Sequence, residues 1–328
     1  MTLPGERPTI TVVVPTRDRR ETAVPCVAAA IAAARAYERA EVVIVDNGSV
    51  DGTYELLRER HAEHARLLRR PDRTIAALRN IGVSCGSGRY LSFIDSDCLV
   101  APDYFHRAIE ALAAAKADAC GSPYALPDRP HWLERSWHEL HAPPCDGVTR
   151  YLPAGNLVIA RSAFDAVGGF RDDLITGEDA ELGRRLTQAG FRLYLARDVR
   201  AVHLGNPKTL RQFFVTQLWH GLGWRGTSRG WALDRPTLMA LAHALTCLAG
   251  LAAAVFMPLP LAGALTMGLG LPWIVPAVTA GFRMQRAGRA SNPLAALLLY
   301  QLYYLARLCA MLARSPADVG RPARSVSE

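Results

Sequence analysis

The sequence predicts an α/β fold: a mainly parallel, Rossmann-like sheet followed by C-terminal transmembrane or interfacial helices. Three observations carry the prediction. Continuous apolar runs such as ITVVVP (10–15) read as strands buried on both faces, as parallel strands are. Those runs alternate with helical stretches in βαβα order, which closes into a parallel sheet through right-handed crossovers. Beyond Asp234-Arg235-Pro236 the composition shifts to three long apolar runs.

Taken in order, ITVVVP is the first strand and RRETAVPCVAAAIAAARAYE (19–38) the first helix. EVVIVDNGS (41–49) is a strand that ends in polar residues, and VDGTYELLRERHAEHARLL (50–68) starts with a turn and continues as a helix. RTIAALRNIGVSCGSG (73–88) is a helix with a glycine-rich exit, leading into the strand RYLSFIDSD (89–97). The strand ends carry Thr16 and Arg17, Asp46 and Asn47, Asp95 and Asp97. Ligands of such sheets bind outside the carboxyl ends of the strands.

The apolar run 237–257 is about the length of a bilayer crossing, with His243 as its only potentially charged residue. A second run covers 261–281, and the basic stretch RMQRAGR (283–289) follows. The third run, 293–313, carries Gln301, Arg307 and Tyr300, Tyr303 and Tyr304, which suits an interfacial helix as well as a span. Arginines after the second run favour a cytoplasmic loop, which places the N-terminal portion in the cytoplasm at the inner (plasma) membrane. The expected division is a catalytic domain over 1–210, a juxtamembrane segment over 211–235, membrane helices over 236–314 and a flexible tail over 315–328.

The formal net charge is +8, and Lys116 and Lys208 are the only lysines. Abundant arginine fits a GC-rich genome or recognition of phosphate and anionic lipid. The arginines form no single block and no nucleic-acid motif accompanies them, so no nucleic-acid partner is expected. Seven cysteines without a Cys-x-x-Cys pair argue against a zinc ribbon or disulfide framework and suit a reducing compartment. No signal peptide is visible, and neither a P-loop nor a dinucleotide fingerprint is present.

Four constellations could carry chemistry. Alternation along an extended segment would send Asp95 and Asp97 the same way, two hard ligands for Mg²⁺ or Mn²⁺; a pair of turn aspartates looks the same in sequence. Asp46 could meet a nucleobase N–H, or simply belong to the turn before a helix. Glu178 and Asp179 open a helix, where acids complement the macrodipole or supply a general base. His203 closes an apolar segment and becomes a ligand candidate only if a metal is nearby.

These elements recur together. VVVPTRDR (12–19), VDNGSVDGT (45–53), ALRNIGVSCGSGRYLSFIDSD (77–97), GNLVIARSAFDAVGGF (155–170) and GEDAELGRRLTQAGF (177–191) resemble, in order, the family-2 glycosyltransferases of the GT-A fold. The resemblance spans roughly residues 9–210. It implies a nucleotide-diphospho-sugar binding sheet joined to an acceptor-binding half. It implies that Pro15, Thr16 and Arg17 line the nucleoside pocket, that Asp46 bonds the base, and that Arg79 and Asn80 lie near the donor ribose and sugar. Asp95 and Asp97 match the Asp-x-Asp metal motif, with Asp97 the direct ligand and His203 a further metal or diphosphate contact. Asp179, in the Glu178-Asp179 pair, matches the catalytic base.

The implied reaction is inverting, metal-dependent transfer from a nucleotide sugar, with UDP-sugars the commonest donors in such proteins. The implied acceptor is a hydroxyl of a glycan or lipid-linked intermediate at the membrane. Two departures stand out. Cys98 replaces a frequent third Asp, and the stretch RQFFVTQLWHGLGWRG (211–226) lacks the Gln-x-x-Arg-Trp spacing of processive synthases. Trp219 and Trp224 there fit an interfacial aromatic belt or an acceptor contact. The alternatives are a polyprenyl-phosphate glycosyl synthase, a sugar-nucleotide pyrophosphorylase and a catalytically inactive binding scaffold.

Overall fold

A computed structural model of the chain describes residues 9–143, 145–223, 234–258, 260–287 and 292–313. Trp224, the junction 224–233 and the tail 315–328 lie outside the described residues. The chain divides into two units. The first comprises the described residues of 9–128 and 145–206, the second those of 129–143 and 207–313.

The first unit is built on strands β1 (Ile10–Thr16), β2 (Ala40–Asp46), β3 (Arg66–Arg69), β4 (Tyr90–Ile94), β5 (Cys98–Val100), β6 (Ala119–Gly121), β7 (Gly147–Thr149), β8 (Asn156–Ala160), β9 (Leu193–Leu195) and β10 (Ala201–His203). Its helices are α1 (Arg20–Tyr37), α2 (Thr53–His61), α3 (Ile75–Ser84), α4 (Tyr104–Ala115), α6 (Arg161–Ala166) and α7 (Glu178–Gln188). The helix α5 (Trp132–His141) belongs to the second unit, with α8 (Leu210–Gly221), α9 (Arg235–Phe256), α10 (Leu261–Gly270), α11 (Ile274–Ala287) and α12 (Pro293–Leu312).

One sheet runs in the order β3-β2-β1-β4-β8-β6-β9-β7. From β3 to β4 it is parallel, and the register Thr16↔Asp46 brings two polar strand ends side by side. β8 is antiparallel to both β4 and β6, so the second half of the sheet is mixed. That reversal matters for the site: it carries Gly155 to Asp95, whose N–H donates to the Gly155 carbonyl at 3.3 Å. β5 and β10 form a separate antiparallel ribbon with His203 opposite Cys98.

All seven residues of β1 are buried, as the unbroken apolar run requires. Period-two alternation divides them between two cores. Val12 and Val14 pack with α1 and α4, and Val13 packs with Phe93, Ile159 and the α6–α7 side. Two local expectations are corrected. Residues 66–68 do not continue α2; that helix ends at His61, and RLLR forms an edge strand parallel to β2. Its four residues run exposed, half-buried, half-buried, exposed, a signal too short to separate from a fraying helix end.

The second correction concerns Asp95 and Asp97. The chain is not extended between them. Cys98 N–H donates to the Asp95 carbonyl at 2.9 Å, closing a turn, and the two carboxylates acquire different partners.

Asn156 ties the mixed half together. It accepts from Tyr104 O–H at 2.7 Å and donates to the carbonyls of Ser122 and Val199 at 2.9 and 3.0 Å. The residue is wholly buried, so deleting its amide strands partners that water cannot reach.

Among the described residues of the second unit, three helices are long and apolar enough to cross a membrane: Arg235–Phe256, Leu261–Ala287 and Pro293–Leu312. The first two display Leu245, Leu248, Leu251, Leu265, Leu269 and Val278 outward. An apolar exterior of that extent marks a lipid- or partner-covered surface. Asp234 caps the first of these helices, its carboxylate accepting from Thr237 N–H at 2.8 Å.

Asn156→Leu should lower the unfolding midpoint of the purified chain, by about 2–4 kcal/mol in stability from the unsatisfied partners. Denaturant titration followed by tryptophan fluorescence measures it, and an unchanged midpoint would show the amide is dispensable.

Candidate active site

The site forms at the carboxyl edge of β1, β2 and β4, where the parallel strands end in polar residues. Loops 16–20 and 47–53 are laced together there. Asp18 N–H donates to Ser49 Oγ at 2.9 Å, Arg19 N–H to Thr53 Oγ1 at 2.9 Å, and Val50 N–H to Asp18 Oδ1 at 2.8 Å. Asp18 adopts φ 48°, a left-handed turn that redirects the chain into α1. Pro15 and Thr16 are buried at the end of β1, and Arg17 is exposed beside Asp18. Among the described residues, Thr16 Oγ1 is buried without a hydrogen-bond partner, a polar group at the strand-end crevice.

Asp46 is fully buried, and its own turn holds it. One oxygen accepts from Gly48 N–H at 2.9 Å and Ser49 N–H at 3.0 Å, and the other accepts from Ser49 O–H. Its carboxylate therefore shapes the loop that follows β2.

Arg79 on α3 is 2% exposed and bridges two acids. It reaches Asp95 at 2.7 Å and Glu178 at 2.6 Å. Burial opposes its charge, and the flanking carboxylates more than restore it, so the guanidinium stays protonated. Tyr124 O–H also reaches Asp95, at 3.3 Å. Asn80, next in sequence, turns the other way. It donates to the Phe170 carbonyl at 2.8 Å and Asp172 at 2.5 Å, tethering the loop before α7.

Asp97 is 2% exposed and faces His203 Nε2 at 3.2 Å and Arg19 Nη2 at 3.6 Å. Asn206 fixes the imidazole. Its Nδ2 donates to the His203 carbonyl at 3.0 Å, so its Oδ1 meets Nδ1 at 2.7 Å and Nδ1 carries the proton. Nε2, turned to Asp97, is then the ring's ligand or second-proton position. Tyr124 stacks on this imidazole at 4.6 Å.

The ligand atoms of Asp97, Cys98 and His203 lie within 4.8 Å of one another. A carboxylate with an imidazole oriented through its far nitrogen is a donor set that fits a divalent cation. The nitrogen donor favours Mn²⁺ over Mg²⁺, which prefers oxygen alone. Cys98 belongs to the apolar core cluster, and its sulfur is a soft donor.

Two glycines make room for these acids. A Cβ on Gly155 would fall on the Asp95 carboxylate and the Tyr124 hydroxyl, and one on Gly205 would fall on the Asp97 carboxylate.

Asp179 and Glu178 open α7 after Gly177, which sits at φ 81°. Asp179 Oδ1 accepts from Ala180 N–H at 2.8 Å, and Oδ2 accepts from Tyr151 O–H at 2.9 Å. Burial raises both acids above the usual carboxylate range, further than Arg79 and the hydrogen bonds pull them down. A half-buried carboxylate with a raised pKa is suited to accept a proton.

Of the residues singled out in the sequence, Arg79, Asp95, Glu178 and Asp179 form one network, Asp97 and His203 another. Asp46 is engaged by its own turn, and Asn80 by the loop before α7. Arg19, Tyr124, Tyr151, Gly205 and Asn206 were not anticipated. Arg19 closes the VVVPTRDR stretch and Asn206 lies three residues after His203; the tyrosines carry no spacing signal.

The fold and the strand-edge acids define a glycosyltransferase of the GT-A class. Residues 11–171, about half of the chain, match the family model described as Glycosyl transferase family 2. Glycosyltransferase AglE of Haloferax volcanii is 28% identical over 261 residues, covering 77% of this chain and 83% of the relative. Succinoglycan biosynthesis protein ExoA of Rhizobium meliloti is 29% identical over 206 residues, 53% of this chain and 57% of its own. A solved mannosyltransferase, PcManGT from Pyrobaculum calidifontis in complex with GDP-Man and Mn²⁺, shares the fold. Its TM-score is 0.58 at 22% identity, over 94% of this chain and 87% of that one.

Because the folded-state pKa of Asp179 is raised, its ionisation costs stability as pH rises. Below about pH 4 the carboxyl is protonated folded or unfolded, and the cost is absent. Asp179→Asn should therefore match the wild type near pH 4 and exceed it in unfolding midpoint at pH 7–8. Denaturation across that range tests this, and a gap independent of pH contradicts the raised value.

Proposed function

We propose that the chain is a metal-dependent, inverting glycosyltransferase that moves a sugar from a nucleotide-sugar donor to a hydroxyl of a membrane-associated glycan or lipid-linked acceptor. One observation carries the metal dependence: Asp97 Oδ1 and His203 Nε2 stand 3.2 Å apart with the imidazole oriented by Asn206. Two such atoms share either a proton or a cation. Asp97 and His203 would hold Mn²⁺ or Mg²⁺, which as a Lewis acid neutralises charge on a departing diphosphate. The GDP-Man and Mn²⁺ bound by PcManGT agree with this assignment.

The remaining roles follow from placement. Pro15, Thr16, Arg17 and the turn built on Asp46 form the floor for the nucleoside. Asp95, held by Arg79 and Tyr124, faces the donor sugar rather than the ion. Asp179 takes the proton of the acceptor hydroxyl, which attacks the anomeric carbon opposite the leaving group. Direct displacement of that kind inverts the configuration and needs one base on the protein. Glu178, engaged by Arg79, sets the position of the helix start that carries Asp179. UDP-sugars and GDP-mannose head the donor candidates. The relative named for succinoglycan biosynthesis supports a glycan product.

The three apolar helices support a membrane location, and Arg283 and Arg286 at the end of the second support a cytoplasmic catalytic unit.

Nucleoside diphosphate release, measured over a donor panel with and without EDTA, tests the chemistry. Asp97→Ala should abolish release. Asn206→Ala leaves both ligands in place and should raise the half-saturating Mn²⁺ concentration by about tenfold or more. Turnover indifferent to EDTA would sink the metal assignment. For orientation, exposed Cys145 should react with an impermeant maleimide in inverted vesicles and not in right-side-out ones, with Cys145→Ser as control.

A further inference from the structure

Tyr151 combines two properties that rarely meet. Its hydroxyl donates to Asp179 Oδ2 at 2.9 Å, and the residue remains 48% exposed. The backbone beneath it is fixed on both sides by Thr149, whose Oγ1 accepts from Tyr151 N–H at 3.3 Å and donates to the Tyr151 carbonyl at 3.1 Å. Asp179 is pinned likewise: one oxygen lies on its own helix amide and the other on the phenol. Any hydroxyl that Asp179 deprotonates must approach beside the Tyr151 ring. Val148 and Ile175, on the two segments that carry Tyr151 and Asp179, are also exposed, at 65% and 42%.

We infer that Tyr151 is the acceptor-side positioning residue: its hydroxyl aims the Asp179 carboxylate, and its ring is the platform for the C–H face of an acceptor pyranose. The inference rests on Asp179 being the base. An aromatic ring with a polar tip suits a sugar, which presents an apolar face and hydroxyls at its edge. A ring and a carboxylate joined by a hydrogen bond hold that sugar and that base in one geometry, and orientation of this kind is a large part of catalysis. A bare phosphate acceptor has no apolar face and gains nothing from the ring.

The two halves separate by mutation. Tyr151→Phe keeps the platform and removes the donor. A hydrogen bond to a carboxylate favours its ionised form, so losing it moves the acid limb of kcat/KM to higher pH. Other groups acting on Asp179 are Glu178 beside it, Arg79 and Tyr124, and all remain in the variant. Tyr151→Ala removes both halves, and Tyr151→Trp restores the platform alone.

The test uses the full chain in detergent with a saturating donor. The acceptors are p-nitrophenyl glucoside, galactoside and mannoside, with farnesyl phosphate as the lipid-phosphate comparison. Expected is transfer to at least one pyranoside. Tyr151→Phe should keep acceptor KM within about twofold, lower kcat and shift the acid limb upward. Tyr151→Ala should raise acceptor KM by about tenfold or more, with Tyr151→Trp recovering it. Donor affinity and the thermal unfolding midpoint of Tyr151→Ala should stay near wild type, which reports an intact fold. A wild type that uses none of the pyranosides overturns the inference. So do Tyr151→Phe and Tyr151→Ala variants with wild-type KM and pH profile while Asp179→Asn is inactive. An Asp179→Asn variant that transfers at the wild-type rate instead overturns the base assignment beneath it.

Discussion

The buried guanidinium of Arg79 is the contact on which the arrangement of the site depends. It joins three segments far apart in sequence: α3, the end of β4 through Asp95, and the start of α7 through Glu178. A charge buried this deeply is tolerated only with close partners, and removing one partner of such a pair typically costs about 3–5 kcal/mol. The bridge cannot neutralise everything around it. One cation faces Asp95 and Glu178 directly and Asp179 through its field, so negative charge remains in excess. Burial keeps Glu178 and Asp179 above the usual carboxylate range, although the Arg79 guanidinium draws both down. The same contact that fixes the geometry thus moderates the basicity that burial gives Asp179.

A division of labour between the two motif aspartates follows from the turn that separates them. Asp95 is held on the side of Arg79 and Tyr124, whereas Asp97 is held on the side of His203 and Arg19. Tyr124 touches both sides, donating to Asp95 and stacking on His203. Gly155 and Gly205 are the spatial counterpart of this division, each leaving the volume that one carboxylate fills. A methyl group at either position would displace an acid rather than fill a void.

The parts legible in the sequence were those encoded by period and composition. Buried strands β1, β2 and β4 announced themselves as continuous apolar runs, and α3 by its helical composition and glycine-rich exit. Polar residues at strand ends located the crevice. The edge strand β3 was hidden because four residues cannot distinguish periods. The two aspartates were read as parallel because alternation assumes an extended chain, and a single i to i+3 hydrogen bond replaces it. Tyr124 and Tyr151 were invisible for another reason. An aromatic residue in a polar loop has no pattern, and its meaning comes from what tertiary structure sets beside it. α5 likewise gives no sequence sign that it packs with helices more than sixty residues downstream, through Leu133 against Phe213 and Leu299.

The third apolar helix illustrates how packing decides between readings that composition leaves equal. Tyr300, Tyr303, Tyr304 and Arg307 could sit at a membrane surface as an aromatic and basic belt. Instead Tyr300 and Tyr304 are each 2% exposed and turned into the second unit. Tyr304 O–H meets Thr279 Oγ1 at 2.8 Å, and Trp137 packs against both Tyr300 and Tyr303. Arg307 lies over the Tyr303 ring and donates to the His220 carbonyl at 3.3 Å. The outward positions go to Leu294, Leu305 and Leu312. A belt needs its polar tips at the water boundary, whereas Tyr300 and Tyr304 are buried in the helix cluster. Polar groups turned into the helix cluster with leucine outside suit a helix surrounded by hydrocarbon. The residues that made a span doubtful in composition are therefore the ones that hold the helix to its neighbours.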